Sequence, residues 1–208
     1  MIVFLIPKPG LFMAKYDIFN EIIVSQQQII SSVENIASEV KKTYADNEKV
    51  LAFVMLMGAK WFADDLFRAI NDYDKFQIRY IRASSYQGGT KSTGQVTISP
   101  EIKENLSGKE ILIIDDIYDS GLTLKTATEL FKEKGASDIK TCVLLEKQIE
   151  HKEQINVDFV GLNVPNEFIV GYGLDYNQMY RELPFIASIK ENIIHSGELP
   201  CLEDVILP

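Results

Sequence analysis

Residues 111–124 read Ile-Leu-Ile-Ile-Asp-Asp-Ile-Tyr-Asp-Ser-Gly-Leu-Thr-Leu, an apolar run that passes into a cluster of carboxylates and then a Ser-Gly turn. Ile111 to Ile114 are apolar on both faces and Ser107-Gly108-Lys109 punctuates their start, which predicts a buried parallel strand. In open α/β sheets ligands gather at strand carboxyl ends, where Asp115 and Asp116 are expected to fall. The turn from Asp119 to Thr123 then offers free backbone N–H groups and the positive end of a helix running to about Lys134, a suitable seat for a phosphate. Two adjacent carboxylates accept hydrogen bonds from vicinal hydroxyls, so this short segment suits a ribose diol and its 5′-phosphate together. Asp-Ser-Gly also serves as plain turn and cap chemistry, and pattern alone leaves that reading open.

Working outward, Ser25 and Gln28 form a capping-box signature ahead of Ile29, Ile30, Val33, Ile36, Ala37 and Val40 at helical spacing, a helix ending near Tyr44. Val50 to Leu56 reads as a buried strand, followed by Gly58 and a helix faced by Phe62, Leu66 and Ile70. Gln77 to Arg82, Ile139 to Leu145, Asp158 to Leu162 and Phe168 to Val170 read as further strands. Strands alternating with helices predict an α/β fold, a mostly parallel twisted sheet flanked by helices.

The 208 residues are 46% hydrophobic, enough for one substantial core. A net charge of −9 and a pI near 4.8 oppose broad attraction to nucleic acid or an anionic membrane and favour a small-molecule partner. Cys142 and Cys201 support neither a disulfide framework nor a thiolate metal site, and suit a reducing cytoplasm. His151 and His195 lack metal or triad spacing and read as surface or helix-end residues. The apolar start Met1 to Ile6 is interrupted by Pro7, Lys8, Pro9 and Gly10, too short for a membrane span. Residues 1–12 are expected to be a dispensable extension.

The segment 111–124 resembles the phosphoribosyl pyrophosphate signature of the type I phosphoribosyltransferases. Val164 to Asn177, with Tyr180-Arg181-Glu182-Leu183-Pro184, resembles the purine-binding and C-terminal segment of their hypoxanthine-guanine branch. The resemblance implies the type I fold as one domain, with a core at about 45–165 and a small hood from about 13–44 and 166–208. It implies transfer of a 5-phosphoribosyl group to hypoxanthine or guanine with Mg²⁺, in a homodimer or homotetramer, with no nucleic-acid or membrane partner.

By the same resemblance, Asp119 is the acid/base facing the purine. Asp115 and Asp116 hold the ribose hydroxyls, and Ser120, Gly121, Leu122 and Thr123 hold the 5′-phosphate. Pyrophosphate falls to the backbone at Met57 and Gly58 and to Arg181, whose planar fork suits phosphate oxygens. Met57 stands where family members usually carry Lys or Arg, so weaker pyrophosphate binding is expected. Lys147, donating only, selects a 6-oxo over a 6-amino purine. Phe168 offers a ring face to the base, and the main chain around Ile169 reads its edge. Asp175 lies near the Mg²⁺, for which a carboxylate is a suitable ligand directly or through water. Ser85 and Tyr86, in the glycine-rich stretch 82–94, match a flap that excludes water from the reacting ribose carbon. On pattern alone each also has an ordinary reading: Gly58 as a turn, Lys147, Asp175 and Arg181 as solvated charges, Phe168 as core, residues 82–94 as a surface hairpin.

Two rivals remain at this level. A xanthine-preferring enzyme differs only at the 2-position, and a ligand sensor of the same fold that binds nucleic acid is opposed by the acidic balance.

Overall fold

Six strands and three helices build the body of the computed structural model, which describes residues 18–85, 96–100 and 102–196. The strands are β2 (Val50–Leu56), β3 (Phe76–Ser85), β4 (Val96–Ser99), β5 (Glu110–Tyr118), β6 (Asp138–Lys147) and β7 (Phe159–Val164). They lie in the order β4-β3-β2-β5-β6-β7, parallel throughout except that β4 runs antiparallel to β3. The helices are α1 (Gln26–Thr43), α2 (Lys60–Ile70) and α3 (Leu122–Glu133). This is the mostly parallel, helix-flanked sheet that the alternating pattern predicts.

The continuous apolar runs are central strands. Val50 to Met55, Ile111 to Ile114 and Cys142 to Leu145 are buried, because both faces of a parallel sheet are covered. Burial also pushes the Cys142 thiol well above its ordinary pKa, away from the reactive thiolate. Phe53 of β2 packs on Phe131 of α3 with ring centroids 4.4 Å apart. The predicted capping box starts α1: Gln28 N–H donates to Ser25 Oγ at 3.4 Å and Ser25 N–H to Gln28 Oε1 at 2.9 Å. Its buried face, including Val33, Ile36 and Val40, joins the main core alongside α2 and β7 rather than a hood.

A second sheet, in the order β1-β9-β8, is antiparallel and combines β1 (Phe19–Val24), β8 (Ile169–Val170) and β9 (Ile186–Ile189). It has its own apolar cluster, in which Phe19, Val170, Leu183 and Phe185 are buried. A short helix, α4 (Glu191–Ser196), follows. This is the small hood drawn from both ends of the chain. Sequence periodicity does not announce β1, β4, β9 or α4. The β1 to β9 pairing is irregular between Phe19 and Ile22 and again before Val24, so β1 lacks a clean period of two.

The order of the strands positions the site. From β2 the chain moves outward to β3, and from β5 it moves outward the other way to β6. β2 and β5 are therefore neighbours whose onward connections diverge, and a crevice opens beyond their carboxyl ends.

Candidate active site

A pocket of about 220 Å³ occupies that crevice, lined by Leu56 at the end of β2 and Gly58 after it, by Asp115 to Tyr118 of β5, and by Asp119, Ser120, Gly121, Thr123 and Leu124. The two acids lie within β5 and not beyond it. Pairing with β6 continues through Asp115↔Val143 and Ile117↔Leu145 to Tyr118↔Glu146, so the strand runs four residues past the expected Ile114. Asp116 N–H donates to Asp115 Oδ1 at 3.0 Å, and Ile117 N–H donates to Asp116 Oδ1 at 2.9 Å. Gly58 meets a spatial demand there, since a Cβ on it would overlap the Asp116 carboxylate. The peptide before Met57 is cis, and the Met57 side chain is 38% exposed.

Burial first, and the neighbouring Asp116 charge second, push the Asp115 carboxyl well above the usual carboxylate range. Burial also raises Asp116, opposed by hydrogen bonds from Asp115 and the Ile117 N–H and by the Arg181 charge. A raised folded-state value means that Asp115 stabilises the fold most below the ordinary carboxylate pKa of about 4, and this contribution is lost as pH rises through the folded value. Asp115→Asn retains the shape and the acceptor for the Asp116 N–H without the charge. Its Tm is expected to exceed the parent's by a few degrees at neutral pH, with the difference closing near about pH 4, where Asp115 is protonated in the unfolded chain as well as in the folded one. Thermal melts across that range check this, and a neutral-pH Tm below the parent's would contradict it.

The turn into a helix is as the sequence predicts, except that α3 begins at Leu122, so Leu122 and Thr123 belong to its first turn. The N–H groups of Leu122, Thr123 and Leu124 therefore have no acceptor within the helix, and that of Leu122 turns back to Ser120 Oγ at 3.4 Å. Gly121 adopts φ +80°, the left-handed conformation that reverses the chain into the helix.

Behind the loop lies a brace that sequence reading does not single out. Glu153 N–H donates to Ser120 O at 2.9 Å, Tyr118 Oη–H donates to Glu153 O at 2.8 Å, and Lys125 pairs with Glu153 at 2.7 Å. His151, read from sequence as a surface residue, is part of the brace. Its side chain is 12% exposed, stacks on Tyr118 with centroids 3.8 Å apart, and bonds through Nδ1 to Asp119 O. The only sequence signal for this is the length of polar chain between β6 and β7, since the contacts themselves are non-local.

Lys147 is the last residue of β6 and not a residue beyond it, because pairing with β7 extends to Lys147↔Val164. Its side chain is largely buried and its Nζ lies 2.9 Å from Asp119 Oδ2, so the structure brings together the expected acid/base and the expected base-reading lysine. Ile117, which the sequence reading passes over, lines the pocket beside them.

Arg181 and Asp175 form a second centre. Arg181 pairs with Asp175 Oδ1 at 2.6 Å and donates to Gly173 O at 2.6 Å, while Asp175 Oδ2 accepts from Gln178 N–H at 2.8 Å. Ile169 is buried in β8. Phe168 is 42% exposed and sits edge-on to Tyr176 at 5.6 Å. Phe168 also lines a separate cavity of about 570 Å³ with Asn20, Asn166 and Ile189, and Phe168, Asp175 and Arg181 are not among the residues that line the strand-end pocket. Tyr86 and the side chain of Ser85 lie outside the described residues, as does the stretch 1–12.

Among the described residues no group of three or more His, Cys, Asp or Glu side chains is placed to hold a metal ion. A bound Mg²⁺ would therefore draw much of its oxygen shell from substrate and water, with carboxylates such as Asp175 as the protein's share, which is how Mg²⁺ is ordinarily held. No helix among the described residues is long and apolar enough to cross a membrane.

Residues 20–177 match the phosphoribosyl transferase domain family. The hypoxanthine-guanine phosphoribosyltransferase of Bacillus subtilis is 40% identical over 184 residues, covering 88% of this chain and 100% of the relative. The solved hypoxanthine phosphoribosyltransferase of Staphylococcus aureus has a TM-score of 0.79 at 32% identity, covering 89% of this chain and 98% of that one. That of Trypanosoma cruzi has a TM-score of 0.79 at 28% identity, with 88% and 97% covered. Matched over the whole length of such a relative, this chain belongs to the phosphoribosyltransferase family and, within it, to the hypoxanthine-guanine phosphoribosyltransferases.

Proposed function

We propose that the protein is a purine-salvage transferase that moves the 5-phosphoribosyl group of phosphoribosyl pyrophosphate to N9 of hypoxanthine or guanine, giving IMP or GMP and pyrophosphate. The observation that carries this reading is the Asp119–Lys147 pair at 2.9 Å on the rim of a diacid and helix-N-terminus pocket.

In this reading the N–H groups from Ser120 to Thr123 hold the 5′-phosphate, and Asp115 and Asp116 accept from the ribose hydroxyls. Departure of pyrophosphate leaves positive charge on the ribose, and stabilisation counts where charge develops. Arg181 and the backbone at Met57 and Gly58 receive the pyrophosphate. Asp175 would hold Mg²⁺, directly or through water, and the ion would supply neutralisation of the pyrophosphate oxygens. Asp119 faces N7 and manages the proton as N9 attacks. Lys147 has three donors, so one remains on Asp119 while another reaches the purine 6-oxygen. Phe168 stacks on the base and the main chain at Ile169 reads its edge. Ser85 and Tyr86 close over the reacting carbon, excluding water. Met57, an apolar residue, leaves pyrophosphate to backbone donors and Arg181.

The test is a steady-state assay with Mg²⁺, phosphoribosyl pyrophosphate and hypoxanthine, guanine, xanthine or adenine in parallel. Turnover is expected with hypoxanthine and guanine and only weakly with adenine. Preference for xanthine would move the protein to a different specificity, and binding of phosphoribosyl pyrophosphate without turnover of any base would make it a sensor. In the same assay Lys147→Ala is expected to raise KM for both 6-oxopurines by about tenfold or more, the cost of a charged hydrogen bond. Unchanged Michaelis constants for both would remove Lys147 from base recognition.

A cytoplasmic location and assembly as a homodimer or homotetramer belong to the same proposal. The first draws on the buried, unpaired thiol of Cys142. The second draws on the Trypanosoma cruzi relative, studied for the role of its C-terminal region in oligomeric state and enzymatic activity.

A further inference from the structure

Two successive carbonyls of the phosphate loop face away from the pocket, into the segment between β6 and β7. Asp119 O accepts from His151 Nδ1, and Ser120 O accepts from Glu153 N–H at 2.9 Å. A carbonyl only accepts, so Nδ1 of His151 carries the proton. The other ring nitrogen, Nε2, lies 3.4 Å from Glu146 Oε1, and the ring lies on Tyr118 at an interplanar angle of 20°. Tyr118 is itself held, donating to Glu153 O at 2.8 Å and accepting from Ile155 N–H at 3.2 Å. The histidine is thus fixed by a ring face and a carbonyl together, with the Glu146 carboxylate beside Nε2.

We infer that His151 is a positioning residue for the transfer reaction, one that anchors the Asp119 peptide from behind and so aims both the acid/base carboxylate and the first donor of the phosphate loop. This rests on the proposed reaction. In a planar trans peptide the C=O and the following N–H point in opposite directions. The peptides after Asp119 and Ser120 are not among the cis bonds, which among the described residues are those before Met57 and Pro100. Pulling Asp119 O and Ser120 O into the brace therefore turns the N–H groups of Ser120 and Gly121 the other way, toward the pocket that these residues line. Successive N–H groups turned one way form an anion-binding concavity. Asp119 is held at both ends, by Lys147 through its carboxylate and by His151 through its carbonyl. The charged groups around the imidazole are Glu146 on the strand, the Asp119–Lys147 pair on the pocket side, and Lys125 with Glu153 further along the brace.

The experiment compares the full-length protein with His151→Phe, which keeps a ring against Tyr118 without a donor, and His151→Asn, whose Nδ2 can take the place of Nδ1. Steady-state kinetics and calorimetric binding of Mg²⁺-phosphoribosyl pyrophosphate are measured on each, with a thermal melt. For His151→Phe, kcat/KM for phosphoribosyl pyrophosphate is expected to fall, and its Kd to rise, by about tenfold, the weight of one internal hydrogen bond. KM for the base should stay within about twofold and His151→Asn should recover to within about threefold of the parent, because only the carbonyl anchor is at issue. Values for His151→Phe within twofold of the parent would overturn the inference, as would an Asn variant no better than Phe. If the parent turns over no base, the proposed reaction fails, and the Kd comparison still decides whether His151 sets the phosphate loop.

Discussion

Replacing Asp119 by alanine or asparagine is expected to lower kcat by about 10²–10⁴-fold, the usual contribution of a positioned acid/base. The Kd for phosphoribosyl pyrophosphate is expected to move far less. The separation follows from the architecture. The ribose diol and 5′-phosphate are assigned to Asp115, Asp116 and the loop from Ser120 to Thr123, none of which depends on the Asp119 carboxylate for its place. Asp116 is set by its own chain and by the space left at Gly58, and the loop by the brace behind it. Asparagine retains an oxygen for Lys147 while removing the charge and the ability to exchange a proton, so it disturbs the geometry less than alanine does. Single-turnover kinetics together with calorimetric binding separate the effects, and equal losses in both would make Asp119 a structural residue.

Gly121→Ala is expected to cost both stability and activity. An L-residue at φ +80° pays about 1–2 kcal/mol for the left-handed conformation. A Cβ there would also overlap the Glu153 carbonyl and stand 2.8 Å from the Tyr118 ring. The backbone carbonyl cannot rotate away, because Glu153 is tied through Ser120 and Lys125, so the loop itself must shift. A displacement of about 1 Å at a reacting centre can cost about 10²-fold in rate, and kcat/KM for phosphoribosyl pyrophosphate is expected to fall by that much. Tm should fall with it. A variant with parental kinetics would show that the phosphate is not bound by this loop.

These two residues were legible for different reasons than His151 or Arg181. Asp119 and Gly121 lie in one unbroken strand, turn and helix, where residue types and order carry the local conformation without reference to the rest of the chain. By local pattern alone, without the family resemblance, Lys147 is a strand-end lysine until β6 is laid beside β5, which brings it to Asp119, 28 residues earlier in the chain. His151 is signalled by nothing beyond the length of its connection, because the carbonyl it serves lies 32 residues away and any polar side chain on a long connection looks solvated. Arg181 presents a similar case: its pairing with Asp175 and Gly173 depends on a segment in which Tyr172, Asn177, Gln178 and Tyr180 all take positive φ, a winding that no periodicity announces.

The boundaries show the same division. β5 extends to Tyr118 through two acidic residues because the neighbouring β6 continues to offer hydrogen-bond partners, a consequence of pairing and not of apolar pattern. β1 has its ladder partner in β9, from the opposite end of the chain, and β9 is paired on its other side by β8. What the amino-acid order determined by itself was the central parallel sheet, the capped first helix and the carboxylate-to-glycine turn, since burial and backbone sterics act over a few residues. The tertiary structure alone decided that the turn stands between diverging strands, with Lys147 before it and His151 behind it, because those positions follow from strand order and from contacts between parts of the chain that sequence distance keeps apart.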